Sequence, residues 1–99
     1  MAKFLKEGKF TERGFSFIEF KDRYGSQCSL QASSLASEPA IWFGVDKIEP
    51  QIQGPTLQWE PFTIPEDVLI NSRMHLTQKM VRKLLPLLTK FAETGDLNG

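Results

Sequence analysis

Arg73 and His75 stand two apart in the segment SRMHLT, and the two-residue period of a strand places both side chains on one face. A guanidinium offers a planar fork of donors matched to phosphate or carboxylate. An imidazole beside it can donate or accept, and Trp42, in AIWFGV, adds a flat aromatic surface. These three side chains together suit a phosphate-bearing or planar ligand. The competing reading of Arg73 is a cross-strand salt bridge to Glu19 or Asp46. Catalysis has less to draw on. His75 is the single histidine of 99 residues, and the chain has no GxSxG, no HExxH, no phosphate-cradling glycine loop and no spacing of metal ligands. Cys28, the one cysteine, alternates with Leu30 and is expected to point inward as an inert thiol. The sequence therefore reads as a binding protein and not an enzyme, with no cofactor and no metal.

The elements that must hold those residues are legible in the hydrophobic pattern. Phe15 to Lys21, FSFIEFK, reads as a strand whose alternation slips between Phe17 and Ile18, the mark of a bulge or of a strand covered on both faces. Asp22 to Gly25 is a turn, and Ser26 to Ala32 is a second strand with Cys28, Leu30 and Ala32 on one side, so the two form a hairpin. Ala40 to Val45 is a third strand, with Ile41, Phe43 and Val45 sharing one face and Gly44 leaving room beside Trp42. Ser72 to Leu76 is a fourth, with Met74 and Leu76 toward the core. From Thr77, a candidate N-cap, apolar residues recur at Met80, Val81, Leu84, Leu85, Leu87, Leu88, Phe91 and Ala92, the period of an amphipathic helix. Pro86 lies opposite that face, and Gly95 is placed to end the helix.

These elements predict an α+β fold: an antiparallel sheet of about four strands with one long C-terminal amphipathic helix packed on one face. Residues 1–99 form a single domain. Residues 1–14 are an N-terminal arm or short edge strand, 15–45 the hairpin plus third strand, 46–71 a proline-rich aromatic loop, and 72–97 the last strand and the helix. The reverse sheet face carries Ser29, Gln31, Trp42, Arg73 and His75. In the loop, Trp59 and Phe62 either lid a pocket, plug a partner subunit or roof the molecule's own core.

Composition narrows the function. Twelve basic and twelve acidic residues cancel, which argues against a domain that lives on nucleic-acid backbones. The basic helix face of Lys79, Arg82, Lys83 and Lys90 is expected to be solvated surface. One cysteine suits a reducing compartment, and neither a signal peptide nor a membrane span is legible. A chain of this size buries only a modest core, so association of subunits is expected to add stability.

The succession FIEFKDRYGSQCSLQASS, IWFGVD and RMHLTQKMVRKLLPLLTKFAETGDL resembles a group of small accessory proteins of tailed bacteriophages, carried by the pattern CSLQxSS, IWFG and RMHLT. The resemblance covers about residues 15–47 and 72–97 and leaves out 48–71 and the N-terminal arm. It implies a phage protein working in the host bacterial cytoplasm, of a kind that often counters host defence. One class of such proteins sequesters nucleotide immune signals between subunits; others bind a host defence protein such as a CRISPR effector. The expectation that follows is a homo-oligomeric counter-defence protein that holds a small anionic nucleotide without catalysis. Trp42 would stack on the base, Arg73 would pair with a phosphate, and His75, Ser33 and Ser34 would bond ribose or phosphate oxygens. Tyr24 or Trp59 would be a second plane. The alternative is an inhibitor that docks a host defence protein through Trp59 and Phe62.

Overall fold

The computed structural model describes residues 3–98. Among them five antiparallel strands form one sheet in the order β1 (Lys6–Phe10), β2 (Ser16–Lys21), β3 (Gln27–Ala32), β4 (Ala40–Val45) and β7 (Arg73–Thr77), followed by helix α1 (Gln78–Thr94). The chain is α+β, as the pattern predicts. The sheet gains its fifth strand from the N-terminal arm, which pairs along the β2 edge as β1.

Local chemistry accounts for the hairpins. Asp22 Oδ1 accepts from the Tyr24 and Ser26 backbone N–H groups at 2.9 Å each, and Gly25 takes φ 83°, so the β2–β3 turn closes tightly. The β2–β3 register runs unbroken from Phe17↔Gln31 to Lys21↔Gln27. The slipped alternation in FSFIEFK is thus a strand half-covered on both faces. The irregularity of the sheet lies instead in β1, between Lys6 and Lys9.

Residues 46–71 are not structureless. Gln51–Gln53 (β5) and Trp59–Pro61 (β6) pair as a separate two-stranded arm, closed by the Gly54 N–H to Gln58 carbonyl bond at 2.8 Å. This arm does not roof the core: Trp59 is 66 % and Phe62 46 % exposed.

Helix α1 begins and ends as predicted. Thr77 Oγ1 accepts from Met80 N–H at 3.3 Å, and Gly95, at φ 75°, donates its backbone N–H to the Phe91 carbonyl at 2.7 Å. Pro86 lies inside it. The expected packing of this helix on a sheet face is not found. None of its side chains is buried, and Leu84, Leu88 and Phe91 remain about half exposed. The reason is the junction: Thr77 is both the last residue of β7 and the N-cap of α1, so no loop exists to turn the helix back over the sheet. The buried centre is correspondingly small and sits on the middle strand, at Cys28 and Ser29, each 4 % exposed.

Gly44 has a tighter role than leaving space beside Trp42. It pairs with Ser29 on one side and Arg73 on the other, at φ 146°. A Cβ there would lie 3.1 Å from the Ser72 carbonyl oxygen and 3.2 Å from Arg73 Cα. Both contacts are backbone, which cannot step aside as a side chain can. Gly44→Ala is therefore expected to destabilise the fold by about 1–3 kcal/mol, read as a lowered midpoint in chemical denaturation; an unchanged midpoint would show that β7 does not approach β4 this closely.

Candidate functional site

The antiparallel register lays the polar sheet face out in two cross-strand rows. One runs Phe17, Gln31, Trp42, His75; the other runs Glu19, Ser29, Gly44, Arg73. Trp42 and His75 are directly opposed and their rings stack, with centroids 4.0 Å apart and planes within 8°. The Arg73 guanidinium carbon lies 5.7 Å from the Trp42 ring centroid, within cation–π reach. The three residues chosen for their chemistry are therefore one cluster, and it opens to the surface: Trp42 and Arg73 are half-buried and His75 is exposed.

The salt-bridge reading of Arg73 is overturned. The Glu19 carboxylate is taken by Lys9 Nζ at 2.8 Å and by Gln27 Nε2 at 3.2 Å, while Asp46 Oδ1 accepts from the Ser29 hydroxyl. Arg73 Nη1 instead donates to Gln31 Oε1 at 2.9 Å. Among the described residues no carboxylate lies within salt-bridge distance of Arg73. A guanidinium has five N–H donors, so most remain for a ligand.

Two adjoining cavities flank Gln31. The first, of about 340 Å³, is lined by Arg13, Phe15, Gln31, Ser34 and Trp42. The second, of about 500 Å³, is lined by Phe10, Phe17, Ser29, Gln31, Asp46 and Arg73. Thr11, Glu12 and Gln31 belong to both, so the two form one trough with aromatic walls and an arginine in each half. Its dimensions suit a nucleotide-sized molecule. The β1–β2 turn builds one rim: Thr11 N–H donates to the Phe15 carbonyl at 2.8 Å, Thr11 Oγ1 accepts from Phe15 N–H at 3.1 Å, and Gly14 sits at φ 84°. Arg13 lies over the Phe15 ring at 5.6 Å.

Ser33 and Ser34 divide. Ser34 lines the first cavity beside Trp42. Ser33 Oγ is 2.8 Å from His75 Nε2 and accepts from Leu35 N–H at 3.1 Å, so it holds the imidazole against the indole. A serine–histidine contact has the outline of a nucleophile and its base. Among the described residues, however, no carboxylate accepts a hydrogen bond from the ring to orient it.

Tyr24, Trp59 and Phe62 are not brought to the trough, and line neither cavity. Tyr24 sits in the β2–β3 turn, whereas Trp42 pairs with Gln31 at the other end of β3, about 13 Å along the strand. Tyr24 borders a separate depression of about 730 Å³ with Lys21 and Lys47. Trp59 and Phe62 belong to the exposed arm. The second aromatic plane expected from Tyr24 or Trp59 is not found: His75 stacks on Trp42 itself, and neither His75 nor Ser33 lines either cavity. The sequence reading missed Arg13, Phe10, Phe15 and Phe17; the available signal was the turn pattern TERG, which makes the N-terminal arm a hairpin strand and carries its residues onto this face.

Cys28 points away from this trough, on the apolar face, with Sγ 3.4 Å from the Ser26 carbonyl oxygen. Burial first, then the nearby charges of Asp22 and Asp46, push its thiol above the ordinary 9.0. Comparison with protein-family models, curated proteins and solved structures returns no match.

The thiol carries a prediction with a definite sign. Its folded pKa lies above its unfolded one, so the protonated form contributes stability below about pH 9 that is lost as pH rises through the folded value. Native protein should react slowly with a thiol reagent at about pH 8 and unfolded protein quickly. Equal rates would place Cys28 at the surface.

Proposed function

We propose that this chain is a non-catalytic binding protein that sequesters a small anionic nucleotide in the trough of the polar sheet face. The observation that supports the reading is the position of the Arg73 guanidinium, beside an indole and among aromatic walls, with an amide and no carboxylate as its bonded partner. Arg73 pairs with a phosphate, and Trp42 with the phenylalanines of the trough supplies flat apolar surface for the base. Ser34 offers a hydroxyl to ribose or phosphate, while Ser33 and His75 fix the indole. Glu12, Glu19 and Asp46 also border the trough. They repel a bare anion but accept hydrogen bonds from sugar hydroxyls and base amines. This balance favours a nucleotide over inorganic phosphate.

The resemblance in CSLQxSS, IWFG and RMHLT supplies the setting: a phage counter-defence protein that removes an immune signal such as a cyclic dinucleotide or an ADP-ribose derivative in the host cytoplasm. Among the described residues no helix is long and apolar enough to cross a membrane. A second reading draws on the exposed arm. Trp59, 66 % exposed, and Phe62, 46 % exposed, offer an aromatic surface for docking a host defence protein directly.

A thermal-shift titration separates these readings. Cyclic dinucleotides or ADP-ribose derivatives should raise the melting midpoint, inorganic phosphate should not, and the nucleotide should be recovered chemically unchanged. Arg73→Ala should weaken binding about 10–150-fold, the equivalent of a charged hydrogen bond lost in a partly dry site. No shift with any nucleotide, together with capture of one host protein that Trp59→Ala abolishes, would favour the second reading. Turnover of the nucleotide would contradict both.

A further inference from the structure

Two apolar surfaces of the chain are left uncovered, and the fold keeps them from covering each other. One is the stripe of α1, where Met80, Leu84, Leu88 and Phe91 are 40–53 % exposed. The other is the sheet face opposite the trough, where Ile41, Phe43, Met74 and Leu76 stand together by register, Met74 at 54 % exposure and the other three half-buried. Strands and helices that pack on one another within a chain are joined by loops of about two to six residues. Here the joining loop has no residues, and Gln78 N–H is tied to the Pro39 carbonyl at 3.1 Å, which fixes the angle at which the helix leaves. An apolar notch of about 320 Å³, lined by Pro39, Ile41, Leu76 and Val81, lies open at that junction.

The areas point the same way. The chain exposes 8647 Å², whereas a compact monomer of its mass exposes about 5,700 Å². Its radius of gyration is 16.9 Å, against about 13 Å for a compact chain of this length. The excess of about 2,900 Å² per chain, to which the exposed β5–β6 arm also contributes, is about 5,800 Å² for a pair, enough to supply an obligate subunit interface of about 2,000–5,000 Å² in total. Formal charge is zero, so no net repulsion opposes self-association.

We infer that two copies exchange their C-terminal helices, each α1 lying on the apolar sheet face of the other. One chain offers a stripe that needs a sheet and a sheet that needs a stripe, so a two-fold pair satisfies both at once with identical contacts. The two polar faces then point outward. This pairing does not depend on the nucleotide reading and stands or falls separately.

The test is sedimentation of the full chain, followed by isotope-filtered NOE measurements on a mixture of methyl-labelled and unlabelled protein. The expected results are twice the 11.3 kDa chain mass and cross-chain NOEs from Leu84 and Leu88 methyls to Ile41 and Leu76. Leu88→Glu should weaken association about a hundredfold or more by setting a charge in the interface; Lys83→Glu, on the outer helix face, should change it by less than about twofold. Should Leu88→Glu fail to fold, the wild-type NOEs still decide. A monomer, a ring of three or more, a dimer whose helix–sheet NOEs all lie within one chain, or a helix covered only after a different protein is added would overturn the inference.

Discussion

The architecture turns on one residue performing two duties. Thr77 completes β7 by pairing with Ala40, and its hydroxyl then caps the first turn of α1. Because strand becomes helix without an intervening residue, the helix leaves along a path its own strand dictates. The backbone bond from Gln78 to Pro39 anchors that departure to the β3–β4 connection. An amphipathic helix of 17 residues cannot hold its apolar stripe in water at no cost; each half-exposed leucine forgoes a part of the roughly 1.5–3 kcal/mol that full burial contributes. The junction thus creates both the uncovered stripe and the demand that a second surface meet it.

The polar face follows from the register of the strands. Antiparallel pairing brings residues from four strands into line, so Phe17, Gln31, Trp42 and His75 become neighbours though they are far apart in sequence. The adjacent row sets Gly44 against Arg73, and the absence of a side chain at Gly44 lets β7 come within ordinary contact of β4. Arg73 is thereby held close to Trp42 with its fork bonded only to an amide. Lys9 and Ser29 meanwhile engage the carboxylates that would otherwise compete for it. The charge of Arg73 is oriented but not neutralised, which is the condition an anionic ligand requires.

Much of this was legible in the sequence because it rests on short-range rules. The period-two alternation of Gln27–Ala32, Ala40–Val45 and Arg73–Thr77 assigned Gln31, Trp42, Arg73 and His75 to one face, and Thr77 and Gly95 marked the helix ends. What was not legible depends on distances no local pattern encodes. A helical stripe requires a covering surface but does not say whose, so its expected place on its own sheet failed at the junction. Trp59 and Phe62 were open between a lid, a plug for a partner subunit and a roof for the core; β6, which carries Trp59, pairs with β5 instead, and both aromatics stay exposed. Arg73 had two acidic candidates at plausible positions, and only the actual register shows both engaged elsewhere. Tyr24 was an aromatic near the right strand at the wrong end of it.

The claim most exposed to measurement is that the open face beside Trp42 and Arg73 receives a nucleotide. Native mass spectrometry of the protein recovered from cells in which defence signalling is active reads it directly. The account predicts protein carrying an added mass in the nucleotide range, absent from Arg73→Ala prepared the same way. Bare wild-type protein from cells shown to contain the signal would contradict it.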